Sequence, residues 1–334
     1  MSMYWIQARE LIKRVSKSPA TGRVLSVIRK LTPIAALGII TYLAWESRDV
    51  LASTIRTAQW GYLAASVIAC LGPYFLGPLG GVIVLTDCGA DIAYEKMLRI
   101  HLDCLPARYL PGGIWGTVGR FLYLHGHGIN PSQLGTLAIV ENVMPIASCF
   151  VLGGGWVWYS HGLQDRIGVC AALSVIAGAI MLVGVPRAIA GYLSTNGERL
   201  SLAGWAKCVG IGMVFYALGG LSFACYMTAF PSSIEHLSLV DIGGSYLFSY
   251  GVGYIAFFSP QGIGVVEVMA GHLLKGAISL ESMIVLVAGF RLIPMLTDIL
   301  LWITSRCFYC GKVMRFRQRP SKALDSPESC DEKT

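Results

Sequence analysis

Four charged side chains stand inside stretches that are otherwise apolar. Arg120 lies in GTVGRFLYL, Glu141 in TLAIVENVMPIAS, Glu267 in IGVVEVMAG and Arg291 in VLVAGFRLIPMLTD. At membrane depth a charge costs at least about 2.5–3.5 kcal/mol on insertion scales, so it persists where it is paired, wet or functional. Two guanidinium groups and two carboxylates sharing one cavity could bind ions. Guanidinium grips a phosphate through a rigid fork of donors, and a carboxylate takes an amine or carries a proton. Each residue also has a plainer reading. Arg120 could snorkel to the membrane surface, Glu141 and Arg291 could form one structural ion pair, and Glu267 could brace a helix end.

Two further charges flank this set. Arg108, in CLPARYLPGG, would either meet an anion at the mouth of the cavity or serve as an ordinary basic flank. Asp298, in LTDILLW, follows Arg291 by seven residues. Two helical turns place it on roughly the same face, which makes it a candidate partner for that arginine. The histidines show no metal spacing, and only His272 stands near the set. Cys307 and Cys310 form a C-x-x-C pair without the two further ligands that zinc would want. No metal or other cofactor is expected.

The charges follow two backbone breaks. The first is Leu110-Pro111-Gly112-Gly113 and the second Pro260-Gln261-Gly262-Ile263-Gly264. Proline and glycine interrupt a helix ladder, and broken backbone at membrane depth is tolerated only against protein or a wet cavity. The freed N–H groups near Pro111, Gly112 and Gly113, and near Pro260, Gly262 and Gly264, would suit the same anion as the arginines. The breaks also share a layout. Gly128 follows Pro111 by 17 residues and Glu141 by 30; Gly276 follows Pro260 by 16 and Arg291 by 31. This reads as an internal repeat over about 97–158 and 240–305, each half a break, a helix, a Gly-Ile turn and a span with a central charge.

Composition sets the medium for these elements. Of 334 residues 54% are hydrophobic and 13% charged, where a soluble domain carries about 25% charged residues. The fold class expected is all-α: a polytopic membrane protein with about six full transmembrane helices plus two re-entrant helical hairpins in an inverted repeat. The spans fall at roughly 31–46, 60–85, 132–158, 167–187, 204–230 and 282–305, and the hairpins at 97–124 and 240–276. Residues 1–30 form an amphipathic cytoplasmic helix, 31–310 the transmembrane domain and 311–334 a polar cytoplasmic tail.

The net charge of +7 gathers at the two ends, which places both termini in the cytoplasm. A basic face on a recognition fold is missing, so nucleic acid is not an expected partner. The first thirty residues lack the cleavage site of a signal peptide. The sequence has no P-loop, which speaks against an ATP-driven pump, and the glycines at 250–254 lack the strand–turn–helix context of a dinucleotide fingerprint. GxxxG-like spacings around Gly80 are too common here to decide whether the chain is a homo-oligomer.

The two motifs with their trailing charges resemble the transmembrane domain of lysylphosphatidylglycerol synthases, a flippase-like integral membrane family. The first motif runs Pro111-Gly112-Gly113-Ile114-Trp115-Gly116, then Arg120, Gly126 or Gly128, and Glu141. The second runs Pro260-Gln261-Gly262-Ile263-Gly264-Val265-Val266-Glu267, then Gly276 and Arg291. The likeness covers roughly residues 25–310. Gln261 replaces the usual glycine, Val266 stands where an arginine often precedes the glutamate, and the synthetase domain that attaches lysine to the lipid is missing.

The resemblance implies a flippase or lipid transporter of the cell's inner membrane, not an enzyme. Its partner would be a membrane lipid with a phosphate head group: a phospholipid, an isoprenoid phosphate or a lipid-linked sugar. Two other readings stay open: a non-transporting scaffold for glycan- or lipid-modifying enzymes, and an intramembrane lipid-phosphate enzyme.

Overall fold

The computed structural model describes residues 58–109, 115–192, 200–230, 237–256, 262, 264–274, 286–287 and 289–317. The expected surface helix over 1–30, the span at 31–46 and the tail beyond 317 lie outside these residues. What is described is all-helical. In chain order the helices are α1 (Trp60–Asp87), α2 (Tyr94–Asp103), a 3-10 turn (Leu105–Tyr109), α3 (Trp115–Gly126), α4 (Pro131–His161), α5 (Arg166–Tyr192), α6 (Leu202–Thr228), α7 (Leu239–Ile255), α8 (Val265–Leu273) and α9 (Leu292–Arg317).

Among the described residues four helices are long and apolar enough to cross a membrane: α1, α4, the Arg166–Val185 part of α5, and α6. They coincide with four of the expected spans. The last expected span, 282–305, falls on α9 and the short helical stretch before it. There the helix continues through Arg306, Lys312 and Arg315 to Arg317, well past the apolar run.

Among lipid tails the hydrophobic effect does not drive helices together; close backbone approach and interhelical hydrogen bonds do. Both devices are present. On α1 the Ser66 hydroxyl donates to the Ser222 carbonyl of α6 at 2.7 Å, and the Ser222 hydroxyl returns a bond to the Ser66 carbonyl at 2.8 Å. Where α6 meets α7, a Cβ added at Gly243 would stand 3.0 Å from the Gly220 carbonyl oxygen. Gly153 of α4 lies so close to α7 that a Cβ there would overlap the Phe248 amide nitrogen. This last contact falls where α4 widens to a π-helical turn over Phe150–Gly154.

Outward faces are apolar. Leu173, Ile176, Ile180 and Val183 of α5 are all exposed, as expected of a surface solvated by acyl chains. At the other extreme α2 is a short helix carrying Glu95, Lys96, Arg99 and Asp103. Asp103 receives Arg306 of α9 at 3.4 Å, which ties the charged end of α9 to α2.

Candidate functional site

The first break ends at Trp115, where α3 begins, and α3 carries Arg120. The chain then turns at Gly128, whose φ of +90° favours glycine. It re-enters helix at α4 through a capping box. The Gln133 side chain accepts from the Asn130 N–H at 2.9 Å and donates to the Cys88 carbonyl, also at 2.9 Å. This turn sets α3 beside α4, and the Arg120 Nη2 donates to the Glu141 carboxylate. Arg120 is thus paired inside the protein, with its side chain 11% exposed. Its buried Nε has no acceptor among the described residues. Glu141 is ten residues into α4, about 15 Å from its start at 1.5 Å per residue.

In the second half, Gly262 and Gly264 both take positive φ, +68° and +86°. At Gly262 a Cβ would also stand 2.9 Å from the Gly253 Cα at the end of α7. The position therefore needs glycine for its conformation and for its space. Gly264 opens α8, and Glu267 one turn later accepts the Gly264 N–H at 2.6 Å. The other oxygen of Glu267 accepts from Arg291, at 2.8 Å from Nη2 and 3.1 Å from Nε. Glu267 thus braces its own helix end and holds Arg291 as well. The plainer reading, one ion pair between Glu141 and Arg291, gives way to two pairs, Arg120–Glu141 and Glu267–Arg291.

The two halves place their charges alike but with opposite polarity. In the first, the arginine is on the short helix α3 and the glutamate on the long α4. In the second, the glutamate is on the short α8 and the arginine at the head of α9. One feature of this match is a proline one turn beyond each long-helix charge: Pro145 and Pro294 each lie 34 residues after the proline of their own break. Proline has no N–H to give the carbonyl four residues back. At Pro145 that carbonyl belongs to Glu141, and at Pro294 it belongs to Phe290, beside Arg291. The helix is interrupted at Arg291, so both charges sit at weakened points of their helices. The spacing was readable in the sequence, but a proline in an apolar run carries no charge to draw attention to it.

A line of phenols on α7 runs between the pairs. Tyr246, Tyr250 and Tyr254 recur every four residues, and adjacent ring centroids are 6.1 and 6.4 Å apart. Tyr246 is stacked on Phe223 and edge-on to Phe290. At the far end Tyr254 donates to the Asn142 side-chain oxygen at 3.3 Å. Tyr216 of α6 adds a ring 6.3 Å from Tyr250. Sequence reasoning missed these rings, because aromatics at helical spacing ordinarily signal core packing.

The remaining expected residues fall elsewhere. Asp298 is buried on α9. The backbone of Arg108 belongs to the 3-10 turn. Its side chain lies outside the described residues, as do Pro111, Gly112, Gly113 and Pro260. His272 is exposed on α8, and no group of three or more His, Cys, Asp or Glu able to hold a metal occurs among the described residues. No known protein-family model matches this chain, and no curated protein matches it.

Proposed function

We propose that this protein is a flippase-type lipid transporter that carries a lipid with a phosphate head group across the cell's inner membrane. The observation that carries the reading is the pair of ion pairs, Arg120–Glu141 and Glu267–Arg291, linking the short helices α3 and α8 to α4 and to the head of α9. Charges at that depth are rare and mark substrate or ion pathways. Discontinuous helices in paired halves are the recurring build of secondary transporters, whose sites lie near the midplane. In this reading the six spans and two re-entrant hairpins form an inverted repeat with both termini cytoplasmic. The phosphate enters near Arg291 and the helix starts at Gly262 and Gly264, while the acyl or isoprenoid tails remain in the bilayer. No bond is made or broken, so the protein is a carrier and not an enzyme.

The test is head-group translocation in proteoliposomes, using labelled phospholipids and polyprenyl-phosphate lipids, beside a folded Arg291→Ala variant. Protein-dependent translocation that falls in the variant supports the transporter. A correctly inserted protein that moves no lipid in the panel overturns it. A scaffold for lipid- or glycan-modifying enzymes would then take its place.

A further inference from the structure

We propose that the corner where α2 meets the charged end of α9 binds the phosphate of an anionic membrane lipid, with Arg99 and Arg306 as its ligands. The site is separate from the central ion pairs and does not rest on the transporter reading.

Three observations converge on it. The first is the change of surface along α9. Leu296, Leu300 and Ile303 are exposed, and spacings of four and three residues keep them on one face. Such a bare apolar row is suited to contact with acyl chains. One turn beyond it the helix carries Arg306, then Lys312, Arg315 and Arg317, and no acid follows Asp298 on this helix. A cluster of basic residues directly after an apolar helical run is the sequence mark of anionic-lipid binding.

The second observation is the geometry at Asp103, the last residue of α2. Its Oδ1 receives the Arg306 Nε at 3.4 Å, and its Oδ2 lies 4.0 Å from the Arg99 Nε. One carboxylate thus draws guanidinium groups from two helices to one point. Two cations there share one anion, and Glu95 and Lys96 of the preceding turns cancel each other. Asp91 lies ahead of α2, at its other end. The corner therefore keeps an excess of positive charge. Arg306 is 60% exposed and Arg99 45%, so Asp103 orients them without enclosing them. A phosphate matches the donor fork of guanidinium and would bridge the two from the open side.

The third observation is Trp302. Its ring centroid lies 5.9 Å from the Arg306 guanidinium carbon, within reach of a cation–π contact. Tryptophan is enriched at the membrane–water boundary, the level at which lipid phosphates sit. An apolar row below the arginines and a tryptophan beside them fit a lipid, whose tails use the row, better than a soluble anion.

The experiment is native mass spectrometry of the full chain in detergent, titrated with phosphatidylglycerol or with phosphatidylcholine of the same tails. Phosphatidylglycerol is expected to bind at least about fivefold more tightly. Arg306→Gln and Arg99→Gln should each weaken it by about fivefold, the factor for about 1 kcal/mol per basic residue at an anionic surface, and leave phosphatidylcholine unchanged. Arg166→Gln, at an exposed arginine heading α5, should change neither. Equal affinity for the two lipids overturns the inference. So does phosphatidylglycerol binding that survives Arg306→Gln in a folded protein, which places the lipid elsewhere. An equal loss in Arg166→Gln overturns it in favour of diffuse charge, and displacement of the lipid by equimolar inorganic phosphate in favour of a soluble anion. If Arg306→Gln does not fold, Arg99→Gln, whose contact with Asp103 is the longer, decides.

Discussion

The Glu267–Arg291 pair lends itself to a double-mutant cycle. Glu267 is nearly closed off, and its two oxygens serve different partners: one takes the Gly264 N–H at 2.6 Å and the other the Arg291 guanidinium at 2.8 Å. Removing one partner of a buried pair costs about 3–5 kcal/mol, because the other charge is left uncompensated. Arg291 is 30% exposed, so solvent screening places Arg291→Gln near the low end, about 3 kcal/mol. Glu267→Gln keeps an acceptor for the Gly264 N–H and leaves the more open partner charged. Its expected cost is about 1–3 kcal/mol. The double variant removes both charges at once, so it should be less destabilised than the sum of the singles by about 1–3 kcal/mol. Reversible unfolding in mixed detergent and SDS, followed by tryptophan fluorescence, reads all four proteins. A coupling below about 0.5 kcal/mol, the usual scatter between independent sites, would refute the claim that this pair holds α8 to the head of α9.

Two other substitutions test the frame around the pairs. Gly262→Ala should destabilise by more than Gly128→Ala. Both positions have positive φ, worth about 1–2 kcal/mol of strain for an added Cβ, but only at Gly262 does that Cβ meet backbone, the Gly253 Cα at 2.9 Å. Equal losses in the same unfolding assay would count against the close approach of α7 to the second break. Ser66→Ala removes the hydroxyl bonded to the Ser222 carbonyl, and interhelical bonds of this kind average about 0.6 kcal/mol with a maximum near 1.7. A loss in that range is expected by SDS titration; no loss would mean that α1 and α6 are held by close contact alone.

Much of the architecture was legible in the sequence, for a physical reason. A helix that crosses lipid must be apolar over its whole length, so α1, α4, α5 and α6 announce themselves as runs. The charges inside those runs are equally plain, because each is an exception to the same rule. Their pairing was not plain. A charge in an apolar segment shows that a partner is needed, but four charges of two signs allow more than one matching. Pairing Glu141 with Arg291 looked as good as the pairings found. Deciding required the Gly128 turn to lay α3 against α4, and the positive-φ glycines to point α8 at Arg291. Periodicity does not encode those local geometries. The tyrosines of α7 stayed hidden for the opposite reason: they obey the rule for buried helix faces, so nothing in their spacing sets them apart from a core.

The reversal of polarity between the halves has a consequence for motion. Suppose the halves exchange exposure, as the proposed transport cycle requires. A pair that bridged them, such as Glu141 with Arg291, would have to break in each cycle, stranding two charges in low dielectric at several kcal/mol. Pairs inside each half travel with it, so neither pair has to break. The weakened backbone after Glu141 and around Arg291, with Pro145 and Pro294 each one turn on, is where such bodies would bend without disturbing the pair. An internally paired half is thus cheap to move, and one charge of its pair stays the more open of the two. The two needs are compatible because the more open member of each pair belongs to the long helix and the more buried member to the short one.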